Sequence, residues 1–225
     1  CRTEIDSCQN HLNVTYCQKL NGHNLKMNGP VKHVVNHMTV EAALPIFWTD
    51  LSHLPDQLLK ARQAIDELRE SHPESLNSNV KSIYASPWKS HRLNAKLHPI
   101  CQTVIDYTIQ AIIQHMNSDL SQLNWNLQVF DCWGAIYEES DYTIPHRHFP
   151  ADFSAVVYLE AEEGCAPIIF ADKLVIHPKP RMLIIFPGIL IHSVPKNTGK
   201  RVVLVINMNK IPSFMPLGPT SENNP

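Results

Sequence analysis

Pro145-His146-Arg147-His148 opens the stretch whose reading decides the fold, and Ile191-His192-Ser193-Val194 followed by Lys200-Arg201-Val202-Val203 closes it. Between Tyr142 and Asn207 lie short apolar runs separated by turn residues, the pattern of compact antiparallel β-structure. Side chains two apart on a strand share a face, so His146 and His148 aim at one point while Arg147 faces away. His192 follows His148 by forty-four residues, so only the fold can bring it to them. A close pair plus one distant ligand is a common way to build a three-ligand metal face that keeps positions open.

Arg201 comes nine residues after His192, past the turn Pro195-Lys196-Asn197-Thr198-Gly199. This is expected to return it beside the histidine at the start of the next strand. Arg201, Val203, Val205 and Asn207 then share a face, which is otherwise mostly apolar. A buried guanidinium needs a partner, and a carboxylate gripped by both of its arms is the natural one. No acidic residue lies between Pro187 and Met208, so an external anion is the simplest candidate.

Working outward, Asn124 to Glu139 alternates as a strand, with Trp125, Leu127, Val129, Asp131, Trp133, Ala135 and Tyr137 expected on one face. Further strands are expected over Phe153–Glu160, Ala166–Phe170, Lys173–His177 and Arg181–Ile185, with turns at Glu162-Glu163-Gly164 and Pro178-Lys179-Pro180. Short strands at regular spacing favour a barrel or sandwich over a parallel sheet. Upstream, Leu54, Leu58, Ala61, Ile65 and Leu68 predict an amphipathic helix, capped by Asp50 or Ser52 and ending before Pro73. A second helix is expected with Pro99 in its first turn and Leu97, Cys101, Val104, Thr108, Ala111 and His115 on its stripe. His98 and His115 are read as helix-end or surface residues.

Residues 1–40 show no clean periodicity and are expected to be an extension. Cys8, His11, Cys17 and His23 match no common zinc spacing. Residues 41–210 are expected to form one domain and 211–225 a flexible tail rich in Pro, Ser and Asn. With 225 residues, 44% of them hydrophobic, the chain can bury one substantial core. A formal net charge of -2 argues against non-specific nucleic-acid binding. No apolar run reaches membrane-spanning length and no signal segment opens the sequence, so a cytoplasmic location without membrane partners is expected. The six cysteines form no CxxC pair and are expected to be reduced thiols.

His146-Arg147-His148, Ser154-Ala155-Val156-Val157-Tyr158-Leu159, Leu183-Ile184-Ile185-Phe186-Pro187, His192-Ser193-Val194 and Arg201 running into Ile206-Asn207 together resemble the iron(II)- and 2-oxoglutarate-dependent oxygenases, in particular the prolyl-hydroxylase-like branch of bacteria and phages. The resemblance extends weakly upstream to about Pro45. It implies a mainly β fold with flanking helices: a double-stranded β-helix (jelly-roll, cupin-like) core with N-terminal packing helices. It also implies a dioxygenase that uses iron(II) and 2-oxoglutarate to hydroxylate a substrate C–H, in a peptidyl-prolyl or other peptide side chain or in a small molecule. Iron would be held by His146, His148 and His192, with Asp152 as the fallback. Arg201 would hold the far carboxylate of 2-oxoglutarate, with Tyr137, Ser193 and Asn207 beside it, Trp133 lining the same pocket, and Asp131 behind a ligand histidine. Two departures stand out. His148 occupies the position where the pattern has a carboxylate, and Arg201-Val202-Val203 lacks the hydroxyl of the usual Arg-x-Ser. Two other readings fit the same residues: a cupin-like three-histidine dioxygenase that does not use 2-oxoglutarate, and a β-helix module that binds without catalysis.

Overall fold

A computed structural model describes residues 42–115 and 124–213. The expected extension over 1–40 lies outside the described residues, as does nearly all of the expected tail. In chain order the elements are β1 (Phe47–Asp50), α1 (Pro55–Ser71), β2 (Val80–Lys81), β3 (Tyr84–Ala85), α2 (Ser90–Leu93), α3 (His98–His115), β4 (Trp125–Tyr137), β5 (Tyr142–His146), β6 (Phe153–Ala161), β7 (Ile168–Phe170), β8 (Leu174–Ile176), β9 (Met182–Pro187), β10 (His192–Val194) and β11 (Arg201–Pro212). Strand β11 runs two residues into the segment expected to be tail.

Leu58, Ala61, Ala64, Ile65 and Leu68 form the buried stripe of α1. Neither Asp50 nor Ser52 caps it. Pro55, which has no N–H to satisfy, occupies the first turn, and the Asp50 carboxylate accepts from Ser52 N instead. In α3 the buried residues are Ile100, Cys101, Val104, Thr108, Ala111 and Ile112, so the stripe is close to the one expected, while Leu97 lies in a short 3-10 turn just before it. The polar break between the two helices carries the small strands β2 and β3, which its sequence did not reveal.

The strands make two antiparallel sheets: a six-stranded one ordered β1-β9-β6-β11-β4-β3 and a five-stranded one ordered β2-β5-β10-β7-β8. Two apolar clusters hold these layers. One packs α1 and α3 on the outer face of the larger sheet through Ile65, Leu68, Ile100, Val104, Val157 and Leu204. The other lies between the sheets and includes Tyr137, Val156, Tyr158, Phe170, Phe186, Val203 and Val205. Cys101, Cys132 and Cys165 are buried free thiols.

Strand β4 departs from simple alternation. Against β11, Asp131 pairs with Asn207 and Val129 with Met208, leaving Phe130 as an extra residue. Such a bulge exchanges the two faces. Leu127 therefore packs on the helix side with Cys132 and Ile136, whereas Trp133, Ala135 and Tyr137 face the second sheet. The single shared face expected from Trp125 to Tyr137 is corrected accordingly.

Gly188 sets the place of the segment that follows His146. A Cβ there would lie 2.1 Å from the Ala151 carbonyl oxygen, and Gly188 O accepts from His148 N at 2.7 Å. Backbone on both sides cannot yield as a flexible side chain would. Gly188→Ala is expected to lower stability by about 2–4 kcal/mol, typical of forced overpacking and backbone shift. An unchanged denaturant midpoint would show that this approach does not constrain the loop.

Candidate metal centre

Strand β5 ends at His146, and His148 follows two residues later, just before the turn at Phe149-Pro150. Strand β10 pairs with β5 so that His192 lies directly opposite His146. The three imidazoles converge, with ring centroids 4.4 to 5.0 Å apart. One nitrogen from each lies within 4.8 Å of the others, and the Nε2 atoms of His146 and His148 are 3.1 Å apart. The Nδ1 atoms are engaged elsewhere: His146 with Ile144 O at 2.9 Å, His192 with Leu190 O at 3.2 Å, and His148 with Asn207 Oδ1 at 2.6 Å. A carbonyl oxygen only accepts, so each Nδ1 carries the proton and each Nε2 keeps its lone pair. Three Nε2 lone pairs facing one point repel unless a cation sits between them. A divalent metal fits this donor set.

Electrostatics agree. Burial holds His148 down to about 4, against a smaller upward pull from its Asn207 hydrogen bond. Burial, then the neighbouring His148 and His146, takes His192 to about 2, and burial also lowers His146. For His148 and His192 the neutral form that binds metal thus persists well below pH 6.5, the ordinary imidazole value. In the unfolded chain these groups take up protons from about pH 6.5. Between that pH and the folded values the unfolded state binds more protons, so stability falls as pH falls through this window. The metal-free protein is expected to lose thermal stability steadily from pH 6.5 to 4, while iron stays bound at pH 5.5. Loss of half the metal near pH 6.5 in an anaerobic equilibrium titration would contradict this.

Arg201 starts β11 in the larger sheet. It does not lie on a strand beside His192, because the chain crosses between sheets after β10, and it meets the histidines across the cavity that separates them. Arg201, Tyr137, Thr143 and Tyr158 line that cavity with the three histidines and with Val203 and Val205. Arg201 is 2% exposed. Its guanidinium lies over the Tyr137 ring, 4.0 Å from the centroid, and donates to Ala166 O at 3.1 Å. Among the described residues its Nε has no hydrogen-bond partner and it makes no ion pair. The Tyr137 hydroxyl is paired with Thr143 Oγ1 at 2.8 Å. Burial pushes the Tyr158 phenol upward, against the pull of Arg201.

Other expected site residues fall elsewhere. Asp152 is turned onto β11, where its carboxylate accepts from Lys210 N at 2.7 Å and faces Lys210 Nζ at 3.7 Å. Asp131 accepts from Lys89 N and Cys132 N rather than from a histidine. Ser193 and Asn207 do not line the cavity: Ser193 is the half-buried middle residue of β10, and Asn207 reaches His148. Trp133 lines both this cavity and an open groove of about 410 Å³ that shares His146 and His148 and is edged by Trp88, Phe130, Arg147 and Phe149. Sequence reasoning did not single out Tyr158, Thr143 or Ser154, since each reads as an ordinary strand residue.

No family model matches the sequence, and no curated protein matches it. Solved structures do. An alpha-ketoglutarate-dependent non-heme carbocyclase from nogalamycin biosynthesis superposes with a TM-score of 0.56 at 10% identity, over 73% of this chain and 79% of its own. The corresponding epimerase from nogalamycin biosynthesis gives 0.54 at 13% identity, over 72% and 76%. A prolyl hydroxylase from Trichoplax adhaerens, solved with a hypoxia-inducible-factor peptide, gives 0.52 at 13% identity, over 73% and 83%. The chain shares their fold. At these identities the likeness concerns the fold alone, and the chemistry is argued from the site.

Proposed function

We propose that the protein is an iron(II)- and 2-oxoglutarate-dependent oxygenase, built on a double-stranded β-helix within residues 41–210, that hydroxylates a C–H of a peptide or small-molecule substrate. One observation carries this reading: a buried arginine with no carboxylate partner among the described residues opens into the same cavity as three converging Nε2 lone pairs. A metal chelator with a second, distant carboxylate satisfies both ends at once, and 2-oxoglutarate has that shape. A prolyl side chain is the substrate the sequence resemblance favours.

His146, His148 and His192 would hold the iron, which when bound supplies the oxygen chemistry. Arg201 binds the far carboxylate and so fixes the direction in which the keto acid enters. The free space between the lining side chains, about 40 Å³, is less than a five-carbon diacid fills. Entry therefore moves the side chains that line the cavity. Tyr158 stays a neutral phenol and can donate to an anion. Val156, Val203 and Val205 give the cavity an apolar lining, and a less polar surrounding strengthens each charged contact inside it. The groove edged by Trp88, Phe130 and Phe149 is large enough for one amino-acid side chain and the chain beside it.

The test is anaerobic titration with iron(II) and then 2-oxoglutarate. A visible charge-transfer band of the chelated keto acid is expected. Iron binding with no band would instead favour a three-histidine dioxygenase that does not use 2-oxoglutarate.

A further inference from the structure

Two of the three histidines are oriented by local backbone. His146 and His192 each place Nδ1 on the carbonyl two residues earlier, Ile144 O and Leu190 O. His148 has no such support. Its ring is met by side chains from two strands of the opposite sheet: Asn207 Oδ1 and Ser154 Oγ both lie 2.6 Å from Nδ1, and Ser154 Oγ donates to Asn207 Oδ1 at 2.6 Å. Ser154 on β6 and Asn207 on β11 are cross-strand partners, and their exposures are 0% and 6%. A buried polar pair aimed at one ring is costly to keep without a purpose.

We propose that Ser154 and Asn207 are positioning residues that hold His148 as its Nδ1–H tautomer and thereby make its Nε2 the third metal ligand. This rests on the reading that the histidines bind a metal. One proton decides the ligand atom. An amide oxygen has no hydrogen, so a ring nitrogen 2.6 Å from it must supply one. The serine hydroxyl spends its own proton on that oxygen and leaves a lone pair for the same ring N–H. With the proton fixed on Nδ1, the Nε2 lone pair points at His146 and His192. The other tautomer would set a lone pair against Asn207 Oδ1 and aim an N–H into the metal position. Partners of this kind, when removed from a ligand histidine, typically cost 10–100-fold in metal affinity.

The tautomer is read directly by long-range proton–nitrogen NMR on the metal-free protein at pH 7.5, with the His148 signals identified by their loss in His148→Gln. The parent is expected to show Nδ1–H on His148. Asn207→Leu, which keeps size and removes the oxygen, is expected to populate Nε2–H and to weaken cobalt(II) binding about 10–100-fold, with the His146 and His192 signals unmoved. Asn207→Asp, which can only accept, is expected to keep the parent tautomer. If Asn207→Leu does not fold, Ser154→Ala carries the test, with a smaller shift in the same direction. An Nε2–H tautomer in the parent, or unchanged tautomer and cobalt affinity in Asn207→Leu, overturns the proposal. Cobalt that moves none of the three histidine signals would instead sink the metal reading itself.

Discussion

His192→Ala is expected to reduce iron(II) affinity at least about a thousandfold, some 4 kcal/mol at about 1.4 kcal/mol per decade. His192 is the ligand that the fold, not the local chain, delivers, and its ring lies within 4.9 Å of both partners. Two remaining imidazoles on one short segment cannot enclose an ion. His192 is buried, so the variant also leaves a small void. His192→Gln, which fills more of that space, separates the effects: it should recover stability without recovering iron. His148→Asp is the informative counterpart. It puts a carboxylate where the resemblance has one, and iron binding should survive, because an anionic oxygen ligand suits iron(II) as well as an imidazole does. Tight iron binding by His192→Ala, or Asp152 found on the metal in the unaltered protein, would overturn this ligand set.

Arg201→Ala is expected to raise the apparent 2-oxoglutarate constant at least about tenfold while leaving iron affinity nearly unchanged. Hydrogen bonds to a charged group contribute roughly 1.5–3 kcal/mol, equivalent to about one to two decades. The size of the effect follows from the surroundings: Arg201 is buried, stacked on Tyr137, and among the described residues carries an Nε with no hydrogen-bond partner, and no other residue lining the cavity brings a fixed positive charge. Arg201→Lys should be intermediate, since an ammonium keeps the charge and loses the planar fork. If Arg201→Ala binds and decarboxylates 2-oxoglutarate like the parent, the anion that Arg201 awaits is a different one.

Period-two patterning was enough to place Arg201, Val203, Val205 and Asn207 on one face, and period 3.6 was enough for α1 and α3, because alternation and helical spacing are local properties of the chain. The convergence of His146 and His148 was legible for the same reason. Tertiary structure alone decided the rest. The bulge at Phe130 turned Leu127 away from Trp133, and no residue type announces an extra residue in a ladder. The β10–β11 connection crosses between sheets, so Arg201 meets His192 across a cavity rather than along a ladder; the turn residues are the same in either case. Asp152 went to Lys210, and Asn207, expected at the co-substrate, went to His148, because β6 and β11 are paired in a register that puts Ser154 opposite Asn207. That register comes from interstrand hydrogen bonds between residues far apart in sequence, which leave no trace in the pattern of either strand read alone.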